Sequence, residues 1–230
     1  NIAQYVVSYF YYHQGSQITL QKSIIITPVA AVVQMCMSPW GAVLYKRLPL
    51  KLLIAIGSSV SIFFVLASSY TYKFAWFIVT YGVGFTIGVG LTYFPPMIAS
   101  WEWFPKNRGF ASGMILCGFG FGAFFFGFIA IALVNPNNEE PVVVENGDKL
   151  YSYDVAERVP FMLQCLCGMW AVLAVIGIVT IKRHPQALQK ERALKQREKD
   201  DVSSLAQDES LMMQQDMINK TSTDLGNKSS

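Results

Sequence analysis

Gln4, Tyr5, Ser8, Gln34, Thr86 and Tyr93 stand inside otherwise apolar stretches of the sequence. At 3.6 residues per turn, Gln4, Tyr5 and Ser8 share one side of a helix with Asn1 and Tyr12, while Phe10 points away. Thr86 and Tyr93, seven apart, share a face as well. Gln34 lies between Pro28 and Pro39, which can bend a helix and aim it inward. Neutral amides and hydroxyls in apolar surroundings suit the binding of a small polar solute, because they exchange hydrogen bonds without making or breaking covalent bonds. They can equally tie neighbouring helices together, and Tyr9 to Tyr12 can form an aromatic belt at a membrane surface. Catalysis finds no such support. The sequence has no Ser/His/Asp arrangement, no His or Cys cluster at metal-ligand spacing, no phosphate loop and no paired carboxylates in its apolar stretches. Neither an enzyme nor a metal or cofactor is expected.

The elements that must position these residues are set by charge. Of the 230 residues 53% are hydrophobic and 14% charged, and the charged ones are confined to loops and tail. Residues 23–45, 52–72, 74–100, 109–138 and 159–181 carry no Asp, Glu, Lys or Arg. A bilayer-spanning helix needs about 20 mostly apolar residues, so each run is long enough. An all-α polytopic membrane protein follows, with helices expected at about 1–14, 20–45, 51–71, 74–100, 108–134 and 155–182. The first is too short to span and reads as the end of a helix whose beginning lies outside the sequence. Cys36, Cys117, Cys165 and Cys167 all fall in apolar runs and read as small buried hydrophobes.

Lys46, Arg47, Lys51, Lys106, Arg108 and the basic start of the tail at Lys182 lie in alternate loops, and the other loops hold His13, Lys22, Lys73 and an acidic stretch from Glu139 to Glu157. By the positive-inside rule the tail is expected in the cytoplasm. Residues 135–158 should form an outer loop with a small hairpin about Asn146-Gly147, and Asp154 with Glu157 resembles a helix start. In the tail, 185–230, a charged helical part should precede a Ser-, Asn- and Asp-rich disordered part. The net charge of +3 does not gather on a folded face, so no nucleic-acid partner is expected.

Trp101 to Gly113 forms a charged aromatic turn between two of the runs. Gly84 and Gly88 stand four apart before it, and Gly109 with Gly113 and Gly118 with Gly122 repeat that interval after it. Small residues so spaced let helices approach closely in lipid. With Gly120 and Gly127 added, the second set suggests a face for helices the chain does not contain.

The Trp103-Phe104-Pro105-Lys106-Asn107-Arg108-Gly109 turn, the glycines after it and the Gly90-Leu-Thr-Tyr-Phe-Pro-Pro96 stretch before it resemble the N-terminal six-helix half of a major facilitator superfamily transporter, in the branch of monocarboxylate carriers and oxalate:formate antiporters. That resemblance implies alternating access for small organic anions, with a missing C-terminal half or a second copy as partner beside lipid and substrate. It implies neutral solutes such as sugars, or a non-transporting receptor or scaffold, as alternatives. The family's gate loop is degraded: Gly41 matches, but Tyr45 stands where an acid is usual and Lys46 where an Arg is, before Arg47. Glu102 is then the carboxylate able to stand in, facing Arg47 or Arg108.

Overall fold

The computed structural model describes residues 2–15, 19–143 and 147–186, together with 188–189, 193, 196–197, 199–200 and 203–204. The chain divides into two units, Asn1–Lys182 and Arg183–Ser230. In the second unit the described residues from 185 onward are helical. The Ser- and Asn-rich stretch expected to be disordered lies mostly outside the described residues, as does Asn146.

The first unit is built almost entirely of helices. In hydrocarbon every backbone N–H and C=O must find a partner within the protein, and an uncharged run does so by coiling on itself. α1 is Ile2–Gln14, closed by Gly15 at a φ of 84°, where a glycine avoids the steric penalty of the left-handed region. α2 (Leu20–Ser23) leads through a slight break into α3 (Ile26–Arg47), and α4 is Leu50–Ser69. α5 (Phe74–Phe77) passes into a π-helical segment, Ile78–Phe85, and on into α6 (Thr86–Trp103). α7 is Arg108–Val134. The strands β1 (Val142–Val143) and β2 (Lys149–Leu150) pair antiparallel, with Val142 opposite Leu150. α8 (Tyr153–Ala156) and α9 (Val159–Thr180) complete the unit. Five helices, Leu20–Arg47, Leu50–Ser69, Phe74–Trp103, Arg108–Val134 and Tyr153–Thr180, are each long and apolar enough to cross a membrane.

Two local expectations change. The turn expected from Trp101 to Gly113 narrows to residues 104–107, because Phe104 N–H still donates to Ser100 O and Arg108 already begins α7. Trp101 Nε1 donates to Ser112 Oγ at 2.7 Å, stapling the two helices across that turn. The expected helix start at Asp154 moves back to Ser152, which occupies the position before α8 but donates its hydroxyl to Glu139 Oε2 at 2.6 Å. Pro95 and Pro96 sit inside α6 without ending it.

Close packing is concentrated on α6. A methyl at Gly41 of α3 would overlap the Leu91 carbonyl, and one at Gly88 would run into Gly57 O and Ser61 on α4. Ser61 Oγ also donates to Phe85 O at 3.1 Å. The main apolar cluster lies where the hairpin meets the helices: Phe10, Phe77, Val134, Leu150, Val159 and Met162 are almost fully buried there. A smaller cluster of Tyr45, Leu50, Leu53 and Ala99 lies at the basic end, near Arg47 and Lys51.

Candidate functional groove

α3 and α6 approach so closely that a side chain at Gly41 or Gly90 would strike the facing backbone or the Met37 side chain. Two helices held at this distance leave a groove along their outer line of contact. It measures about 430 Å³ and is lined by Ala31, Gln34, Met35, Ser38, Pro39, Tyr93 and Phe94. Gln34 lies thirteen residues before the end of α3 and Tyr93 ten before the end of α6. At 1.5 Å per residue both stand roughly 15–20 Å from the basic end, near the middle of a bilayer about 30 Å thick.

Two of the expected site residues therefore meet here. Ser38 adds little to the polar lining, since it is buried and its Oγ donates to its own helix at Gln34 O, 2.7 Å. Among the described residues no hydrogen bond occupies the Gln34 amide or the Tyr93 hydroxyl. Tyr93 also borders a second, smaller groove of about 260 Å³ on the α7 side, with Val89, Pro96, Met97, Leu116 and Phe119. The one other polar residue there, Thr92, donates to Gly88 O and Val89 O of its own helix.

The remaining expectations resolve differently. Thr86 is buried, and its hydroxyl donates to Gly82 O and Val83 O within the π-helical segment, so it does not offer itself to a solute. The stripe on α1 meets the hairpin instead of a solute cavity. Gln4 Nε2 donates to Lys149 O at 2.6 Å, and the Tyr5 ring stacks on Tyr151 with centroids 4.2 Å apart. Ser8 Oγ accepts Tyr151 N–H at 3.0 Å and Tyr12 Oη donates to Tyr151 O at 3.1 Å. Hydrogen bonding to Tyr5, followed by burial, pushes the Tyr151 phenol up to about 12. The physical reason is the backbone of the short strand β2 and its exit: it carries N–H and C=O groups that no further strand satisfies, and the stripe supplies partners. His13, expected in a loop, stands in the last turn of α1 with Nε2 3.4 Å from Glu157 Oε1 and Nδ1 3.1 Å from Tyr9 O.

At the basic end, Tyr45 Oη donates to Glu102 Oε1 at 2.8 Å. The residue that replaces the usual acid thus binds the carboxylate expected to stand in for it, linking the ends of α3 and α6. From the sequence Glu102 is expected to face Arg47 or Arg108; that the Tyr45 phenol donates to it is not visible in residue spacing. Lys46, Arg47 and Arg108 are exposed at this end. Gly84 packs against Phe64 and Gly88 against α4, whereas Gly109, Gly113, Gly118, Gly120, Gly122 and Gly127 have nothing within 4 Å of where a Cβ would stand.

Over 156 residues, 63% of its length, the chain is 30% identical to Apicoplast pyruvate carrier 1 of Toxoplasma gondii. The match spans 28% of that protein, so the chain corresponds to well under half of its relative. No family model and no solved structure matches the chain. The relative is named for carrying a solute rather than for catalysis, in keeping with a chain expected not to be an enzyme. Five apolar helices of spanning length and a carrier among its relatives make the chain an integral, multi-pass membrane protein.

Proposed function

We propose that the chain moves small monocarboxylates across a membrane by alternating access, as one six-helix half of a major facilitator carrier. The groove carries this reading: an amide and a phenol with no hydrogen-bond partner among the described residues line the same space near mid-membrane, in a chain similar to a protein named for carrying pyruvate. The second half, or a second copy, would close over α3 and α7, whose surfaces are the least covered of the five spanning helices. The tail would lie in the cytoplasm, on the side of Lys46, Arg47 and Arg108. Tyr45 and Glu102 would then hold α3 and α6 together at the cytoplasmic mouth, so that this half moves as one body.

The groove has no Lys, Arg or His in its lining, which is the observation favouring the second reading, a neutral solute such as a sugar. Under the first reading the cation that balances a carboxylate comes from the other half. Uptake of radiolabelled solutes into proteoliposomes separates the two. The carrier should accumulate pyruvate saturably, with competition by lactate and not by glucose. Competition by glucose alone would establish the neutral-solute reading, and no saturable uptake of either would leave a scaffold or receptor.

A further inference from the structure

We propose that Gln34 and Tyr93 recognise the oxygen on the carbon next to the substrate's carboxylate, making the α3–α6 groove a specificity pocket for 2-oxo and 2-hydroxy acids over unsubstituted ones. The proposal rests on the monocarboxylate reading and adds which end of the substrate this chain holds.

Charge decides the orientation. A carboxylate buried without a cation is costly, and the groove lining holds no cation. The charged end must therefore lie elsewhere and the uncharged end must enter. Met35, Pro39 and Phe94 offer apolar walls to an alkyl group. The Gln34 amide and the Tyr93 hydroxyl can each donate to a neutral oxygen, and Gln34 Oε1 can accept from a hydroxyl. Ser38 is not a competing donor, because its proton is on Gln34 O.

Position supports the pairing. Gly90 of α6 packs against Met37 and the Gln34 carbonyl, so the helices on either side of the groove are locked three residues from each polar group, and Gly41 of α3 packs against Leu91 farther along. Helices fixed before the ligand arrives leave only the two side chains to be ordered on binding. A substrate without the second oxygen would leave them unsatisfied once the carrier closes over it, and a site built for a hydroxyl or carbonyl discriminates strongly on that ground.

The test compares pyruvate with propionate, which has the same three carbons and carboxylate but no second oxygen. Concentration-dependent uptake of each into proteoliposomes gives the two KM values, for the unaltered carrier and for Gln34→Leu and Tyr93→Phe. Each substitution should raise the KM for pyruvate so that preference over propionate falls about tenfold, the effect of one lost hydrogen bond. Gln34→Asn, which keeps the amide, should recover part of the preference. Parallel changes for both acids would overturn the proposal while leaving the carrier a monocarboxylate transporter, as would an unchanged preference. Absence of uptake of both acids by the unaltered carrier would defeat the monocarboxylate reading itself. If Gln34→Leu fails to reach the membrane, Tyr93→Phe, which removes a single oxygen, decides the matter.

Discussion

α6 and α7 carry the same small-residue interval and meet opposite fates. On the unbroken helix that runs into α6, Gly84 and Gly88 each face a neighbour too close for a side chain; on α7, Gly109, Gly113, Gly118 and Gly122 face open space. In its most apolar 18-residue stretch, 39% of the Phe74–Trp103 helix is buried within the chain, against 6% of Arg108–Val134. The interval permits close approach but does not create it. A glycine becomes structural when another helix lies directly opposite, as Gly57 and Ser61 do for Gly88 and the Phe64 ring for Gly84; without one it leaves a smooth surface flanked by exposed Phe110, Phe121 and Phe124. One helix holds the unit together, and the other presents an open face.

Substitutions can break or sharpen this contrast. Gly88→Leu should have the largest effect, about 3 kcal/mol or more or outright loss of folded protein, since the backbone of Gly57 and Ser61 cannot retreat. Gly118→Leu, read by the same thermal unfolding in detergent, should stay within about 0.5 kcal/mol. Equal losses at both positions would erase the distinction between the helices. Next, Tyr45→Phe removes a donor to Glu102 and should cost about 1.5–3 kcal/mol, the range for hydrogen bonds to charged groups. Ser8→Ala should cost about 1–2 kcal/mol by stranding Tyr151 N–H, seen as faster amide exchange at Tyr151 with α6 unaffected.

Smaller still is the effect of Glu157→Gln, a few tenths of a kcal/mol, because its partner His13 is near the surface and such pairs are screened. At high pH the Tyr151 phenol supplies a further probe. Its value is raised above the ordinary 10, so the stabilisation is complete below pH 10 and disappears as pH climbs through about 12. The difference in tyrosinate absorbance between the unaltered chain and Tyr151→Phe isolates this phenol, which should titrate late, and Tyr5→Phe should bring it back toward 10.

The sequence made some of this legible and hid the rest for physical reasons. Uncharged runs bounded by charged residues announce helices because hydrocarbon leaves the backbone no alternative, and Arg108–Val134 covers most of the uncharged run 109–138. Gln34 and Tyr93 could be singled out separately, as polar residues in such runs; that they line one groove depends on Gly41 and Gly90 drawing α3 onto α6. The α1 stripe misled because helical periodicity shows that Gln4, Tyr5 and Ser8 share a face without showing what lies opposite. Here a β2 strand 140 or so residues away supplies the partner. The π-helical segment, which separates Thr86 from the solute groove by giving its hydroxyl carbonyls to bond, left no signature in residue spacing.

The central claim is that a transported monocarboxylate occupies the groove between α3 and α6. Ala31→Cys, in a carrier whose Cys36, Cys117 and Cys165 are replaced by Ser, places a reporter in its wall and leaves Gln34 and Tyr93 intact; Cys36 and Cys117 are exposed, not buried as expected from the sequence. Pyruvate should slow modification of that thiol by a small methanethiosulfonate reagent in proportion to its occupancy, while glucose should not. Modification at the same rate with and without saturating pyruvate would contradict the account.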